Sequence, residues 1–115
     1  ANRLTAADRK AAAKRAAQML AEKTAHFAKE MGVTYGRITI REQKTRWGSC
    51  SSAGNLNYNW KLVLMPEQVM DYVVIHELAH LKEKNHTARF YAVVAQQMPD
   101  YKVWQSWLKE HGREY

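Results

Sequence analysis

The sequence has 115 residues, 46% of them hydrophobic and 25% charged, enough for one hydrophobic core and too few for two. It contains no apolar run near the roughly 20 residues of a membrane span, no visible signal peptide and one cysteine, Cys50, so an internal disulfide is excluded and a reducing, cytoplasmic setting is expected. The net charge of +7 is uneven: residues 1–66 hold twelve Lys and Arg against four acidic residues, whereas residues 67–115 hold six against seven.

Thr5 with Asp8 three positions on is a helix-start pattern, and Ala12, Ala16, Met19, Leu20, Lys23 and Phe27 follow the helical period. This predicts a first helix over roughly Thr5 to Met31, closed by Gly32, that buries Met19, Leu20 and Phe27. His26 reads as structural rather than as a ligand. Arg9, Lys10, Lys14 and Arg15 recur on this otherwise alanine-rich helix and are expected in solvent. The basic first half could meet nucleic acid, phosphorylated substrates or acidic peptides, or be simply a solvated helix face.

The middle of the chain reads as sheet. Ile38 and Ile40 alternate with Arg37, Thr39 and Arg41, and Leu56, Tyr58 and Trp60 alternate with polar residues; Ser51-Ser52-Ala53-Gly54 supplies a turn between strands. Pro66 opens the next helix, where its missing N–H costs nothing, and the apolar pattern continues to about Glu83. A helix over Thr87 to Met98, capped by Thr87, should turn Phe90, Val93 and Val94 inward. Pro99 then separates a last helix carrying Tyr101, Trp104, Trp107 and Leu108 to about His111.

Within the third of these segments stands His76-Glu77-Leu78-Ala79-His80. Residues i and i+4 of a helix lie one above the other, so the two imidazoles can converge on one ion. Glu77 sits about 100° further round, where its carboxylate flanks the ion and can take a proton from water activated there. Two histidines hold zinc weakly, and His86 is the candidate for a third ligand. Were the helix to continue, His86 would lie roughly 240° from His80, so the chain must turn first. Lys82-Glu83-Lys84-Asn85 offers that turn, with Asn85 suited to the left-handed conformation of helix ends. The surrounding Val73, Val74, Ile75, Leu78, Ala79 and Leu81 are apolar, and burying two histidines and a carboxylate among them is costly without a partner such as a metal.

Four blocks, Lys44-Thr45-Arg46-Trp47-Gly48-Ser49-Cys50-Ser51, Asn59-Trp60-Lys61-Leu62, Asp71 to Lys82 and Asn85-His86-Thr87-Ala88-Arg89-Phe90, together resemble the YgjP-like metallopeptidase family in content and order. Pro99-Asp100-Tyr101-Lys102 fits it too, and a more distant likeness extends to the SprT-like zinc proteases. The resemblance implies an α+β, zincin-like fold: a long N-terminal helix, a small antiparallel sheet, a helix bearing the HExxH motif and two C-terminal helices. It also implies an edge strand beside the metal, able to pair with an extended peptide. Members of the family usually carry a strand-rich segment ahead of the first helix, so residues 1–115 are expected to form one zincin-like metallohydrolase domain, a core without that segment.

The expected function is a zinc-dependent peptidase with His76, His80 and His86 on Zn²⁺ and Glu77 as general base, acting on a peptide or protein substrate. Arg46 is a candidate for binding a substrate carboxylate or phosphate or stabilising an oxyanion, but could equally fix the sheet to a helix. Tyr101 is a candidate oxyanion donor or an orienter of His86, against a plain core role. Trp47 reads as packing and Cys50 as a small buried thiol rather than a nucleophile. Two alternatives stay open: hydrolysis of a phosphorylated small molecule such as a nucleotide, and a non-enzymatic zinc-stabilised module that binds DNA or protein, which would need a fourth protein ligand to close the site.

Overall fold

The computed structural model describes residues 4–115. Helix α1 (Ala6–Met31) is followed by strands β1 (Ile38–Arg41), β2 (Gly48–Cys50) and β3 (Leu56–Asn59), a short 3-10 helix (Trp60–Leu64), then α2 (Glu67–Ala79), α3 (Ala88–Gln97) and α4 (Tyr101–His111).

Both ends of α1 follow from side-chain chemistry. The Thr5 hydroxyl accepts from the Asp8 N–H, the Asp8 carboxylate accepts from the Thr5 N–H, and Gly32 takes the left-handed conformation at φ 69° that closes the helix. The buried stripe is Ala12, Ala16, Leu20, Thr24, Ala28 and Met31. Met19 and Phe27, expected in the core, are only half-buried at its edge. The small residues of the stripe let α1 lie close against the 3-10 helix and α2. Thr24 is its one polar member, and its hydroxyl hydrogen-bonds the Tyr58 hydroxyl across 2.9 Å, so neither buried group is left unpaired.

The sheet departs from the antiparallel expectation. It is mixed, in the order β1-β3-β2, with β1 parallel to β3 (Ile38 opposite Leu56) and β2 antiparallel to β3 (Gly48 opposite Tyr58, Cys50 opposite Leu56). The turn over residues 51–54 joins β2 to β3, not β1 to β3, with Gly54 at φ 84°. The segment between β1 and β2 then carries the chain back across the sheet, which makes β1 and β3 parallel. Trp60 does not extend β3: the Asn59 side chain accepts from the Lys61 N–H at 3.0 Å and starts the 3-10 helix instead.

Helix α2 is buried along most of its length, including Val69, Met70, Val73, Val74, Ile75 and Leu78, and forms the centre of the core. It ends at Ala79 and not near Glu83. From His80 to Lys82 the N–H groups bond three residues back (His80 to Glu77, Leu81 to Leu78, Lys82 to Ala79), which tightens the last turn and stops the helix. The turn beyond it uses no left-handed Asn85, since no described residue other than glycine has positive φ. No helix among the described residues is long and apolar enough to cross a membrane.

The basic residues of the first half are either paired or spread over solvent. Arg9 and Lys61 approach Glu42 at 3.7 and 3.4 Å, Lys23 is held by Glu67 and Asp71, and Lys10, Lys14 and Arg15 line the exposed side of α1.

Candidate metal centre

His76 lies in the last turn of α2, His80 caps it, and His86 stands just ahead of α3. One ligand atom from each falls within 4.8 Å of the others. The turn over 81–87 therefore does what the spacing required: it brings His86 back over the helix end. Two contacts hold it there. The Lys84 carbonyl lies 3.1 Å from His80 Nδ1, and the Thr87 hydroxyl accepts from the Phe90 N–H to start α3.

A carbonyl can only accept, so His80 Nδ1 carries the proton and Nε2 keeps its lone pair. His76 Nδ1 lies 3.2 Å from the Glu77 carboxylate, which has the same effect on its ring. Partial desolvation, followed by repulsion from His76 and His80, pulls the His86 pKa below the ordinary value of 6.5, while the Glu77 charge opposes this. The His86 imidazole is thereby biased to the neutral form, which is the form that binds a metal.

Phe90, on α3, is the floor under all three rings, with centroid separations of 4.9 Å to His76, 4.6 Å to His80 and 4.9 Å to His86. It is fully buried. Its inward orientation was readable from helical periodicity, but its contact with the histidines was not, because His86 lies outside the helix and no fixed spacing links it to Phe90. Tyr91 is a second residue the sequence did not mark. Its ring stacks on His86 at 6.1 Å and on Tyr101 at 5.7 Å, so Tyr101 reaches His86 only through Tyr91.

Glu77 is buried beside the cluster, and strand β2 lies directly on it. Gly48 makes this approach possible: a Cβ there would stand 3.0 Å from Val73 Cγ1, 3.1 Å from Glu77 Cγ and 3.3 Å from the Asn57 carbonyl. Because β2 is an edge strand, its outer side borders a cavity of about 360 Å³ lined by Arg46, Gly48, Ser49, Cys50, Glu77 and the three histidines. Arg46 is thus brought to the site and Tyr101 is not among its walls. The loop carrying Arg46 is pinned from below by buried Asn59, whose Nδ2 donates to the Gln43 carbonyl at 3.0 Å and the Arg46 carbonyl at 3.4 Å.

Cys50 is half-buried, and its pKa is raised first by burial and then by the Glu77 charge, so its thiol stays protonated. Trp47 is half-buried, with its indole against Gly112. His26 lies on the surface beside Glu30, and His111 pairs with Glu114 at 2.8 Å, both apart from the three-histidine group.

The sequence profile of the YgjP-like metallopeptidase domain matches residues 1–111. The chain belongs to the YgjP-like metallopeptidase family. Membership implies a metal ion, and the three converging imidazoles supply a fitting donor set for one. The YgjP-like fold recurs in the crystal structure of the metallopeptidase zymogen abylysin of Pyrococcus abyssi, with a TM-score of 0.72 at 24% identity over 82% of this chain and 96% of that one. It recurs also in the zymogen jannalysin of Methanocaldococcus jannaschii, with a TM-score of 0.61 at 20% identity over 73% of this chain and 90% of that one. At these identities the likeness is one of fold. A curated relative, UTP pyrophosphatase of Escherichia coli (strain K12), is 47% identical over 36 residues, a match spanning 31% of this chain and 22% of that protein.

Proposed function

We propose that this YgjP-like domain is a zinc-dependent peptidase of residues 1–115, in which His76, His80 and His86 hold the ion and Glu77 is the general base. The observation that carries this reading is the convergence of three imidazoles beside a buried carboxylate under a free strand edge. Three imidazole nitrogen donors suit zinc and leave room for water and substrate. Cys50 is outside the converging group among the described residues, which argues against a site closed by a fourth protein ligand and so against a purely structural module. When bound, zinc supplies Lewis acidity that polarises a carbonyl and makes water acidic enough to attack near neutral pH.

The chain's own residues supply the rest. The outer edge of β2 offers main-chain N–H and C=O groups to an extended substrate, which adds to the sheet as a further strand and lies across the histidines. Glu77 takes the proton of the attacking water and returns it to the departing amine. Arg46, on the cavity wall, is placed to bind a substrate carboxylate or the oxyanion of the tetrahedral intermediate. Tyr101 acts through Tyr91 on the orientation of His86. The one cysteine fits a reducing, cytoplasmic compartment.

A second reading, hydrolysis of a phosphoanhydride in a nucleotide, rests on the short likeness to UTP pyrophosphatase. One experiment decides between them: zinc-loaded protein is incubated in parallel with an unfolded protein and with UTP, with Glu77→Gln as control. Peptide cleavage lost in the variant supports the first reading; UTP cleavage alone, also lost in the variant, replaces it with the second.

A further inference from the structure

Three cavities adjoin along the outer edge of β2, each sharing walls with the next. The central one holds the histidines. At its Gly48 end, a cavity of about 150 Å³ shares Gly48, His76 and Glu77 with it and is otherwise walled by Trp47, Tyr72, Val73 and Leu108. At its Cys50 end, a cavity of about 370 Å³ shares Cys50 and His80 with it and is otherwise walled by Thr34, the turn over residues 51–54, Leu81, Lys82 and Lys84.

The two ends differ in chemistry. Beyond the site residues His76 and Glu77, the first is built of aromatic and aliphatic groups, and a space of about 150 Å³ is enough for a benzene-sized group. The second holds two lysines and, among its described walls, no carboxylate. Both lysines are exposed, so their charge is available to a ligand. The ends also have a fixed spacing. A peptide paired with β2 meets it residue for residue, and successive side chains alternate faces, so the substrate residues opposite Gly48 and Cys50 are about two positions apart and point the same way.

We infer that the groove selects an extended peptide carrying a large apolar side chain for the Trp47–Leu108 pocket and an Asp or Glu side chain for the Lys82–Lys84 pocket, about two residues apart and flanking the scissile bond. This deepens the peptidase reading and rests on it. The apolar pocket discriminates by fit, where each methylene is worth roughly 10-fold or more in selectivity, and the lysine pocket by charge, which added salt weakens.

The test separates the groove from the chemistry. Peptides with varied residues around a central bond are digested by the zinc-loaded protein, and the products are sequenced by mass spectrometry. Cleavage should concentrate at apolar-X-acidic or acidic-X-apolar sequences. Leu108→Arg should lower cleavage of apolar-bearing peptides about tenfold and leave the acidic preference, whereas Lys82→Glu with Lys84→Glu should abolish the acidic preference and leave the apolar one. Leu108→Ala, a milder change, should shift the preference to bulkier side chains. In parallel, fluorescence anisotropy reads binding of the same peptides to Glu77→Gln protein, independently of turnover. Binding of matched peptides at least tenfold tighter than of peptides with lysine in the acidic position supports the groove. Equal binding, or preferences that neither variant moves, overturns it. Selective binding with no cleavage by the unaltered protein upholds the groove and overturns the peptidase reading alone.

Discussion

Gly48 lies against Glu77 so closely that a Cβ on the glycine would stand 3.1 Å from Glu77 Cγ, with Val73 Cγ1 and the Asn57 carbonyl blocking retreat on either side. The edge strand and Glu77 are therefore set relative to each other by the absence of one side chain. Gly48→Ala should destabilise the fold by only about 1–3 kcal/mol, the usual range for overpacking, because β2 is short and at the sheet edge. Its effect on activity should be larger, about 10- to 100-fold in kcat/KM, since a displacement of Glu77 or of the strand misplaces substrate and base together. Thermal unfolding and peptidase assays on the same sample check this; an activity loss no larger than the loss of folded protein would refute it.

Glu77 and His86 should separate in their effects. Glu77→Gln keeps the shape of the side chain and removes its basicity, so metal content should stay near one ion per chain while turnover falls by about 10²- to 10⁴-fold. His86→Ala should lower metal content itself. Elemental analysis after dialysis, paired with turnover, reads both. One tightly bound zinc surviving in His86→Ala would place the third ligand elsewhere.

Phe90 supports three rings at once, and its removal should be felt in both stability and metal binding. Phe90→Ala should cost about 3–5 kcal/mol in unfolding free energy, as for other buried Phe truncations. Phe90→Leu keeps most of the volume and should cost less than half of that, yet leave the imidazoles free to tilt and so weaken zinc retention against a competing chelator. Denaturant unfolding of the metal-free protein isolates the first effect and chelator competition the second.

Features set by neighbouring residues were legible in the sequence. The Thr5–Asp8 box, Gly32, the Thr87 cap and the convergence of His76 with His80 all depend on spacings of four residues or fewer, where backbone geometry dictates who meets whom. Features that depend on long-range pairing were not. Gly48-Ser49-Cys50 carries no alternating apolar pattern, because it is a short edge strand with a glycine facing Glu77, and so nothing marked it as the strand that turns the sheet mixed. The apolar run Leu78-Ala79-His80-Leu81 suggested a longer α2, but Leu81 packs against the core from a tightened turn as well as it would from a helix. The aromatic column Tyr101-Tyr91-His86 likewise needs α3 and α4 docked before it exists.

Lys23 ties α1 to the first turns of α2, donating to Asp71 and Glu67 at 2.7 Å each. Burial alone would lower its pKa; the hydrogen bonds to Asp71 and then Glu67, with their charges, more than reverse this and hold it above 10.5. The same partner holds the exposed Glu67 below 4.5. The Lys23 side chain is 16% exposed and Asp71 21%, against 67% for Glu67, so the Asp71 arm is the less screened of the two. Lys23→Met should therefore destabilise the protein by about 1–2 kcal/mol at neutral pH, with Asp71→Asn close to it and Glu67→Gln smaller. The sign with pH follows from linkage. A pKa raised on folding gives stability that is complete below 10.5 and is lost as pH rises through the folded value, whereas the depressed Glu67 gives stability present above 4.5 and lost as pH falls. Denaturant midpoints of wild type and Lys23→Met should thus lie furthest apart between those limits and draw together toward both extremes. A gap that stays constant from acid to alkaline pH would mean that Lys23 acts through the packing of its aliphatic stem and not through its charge.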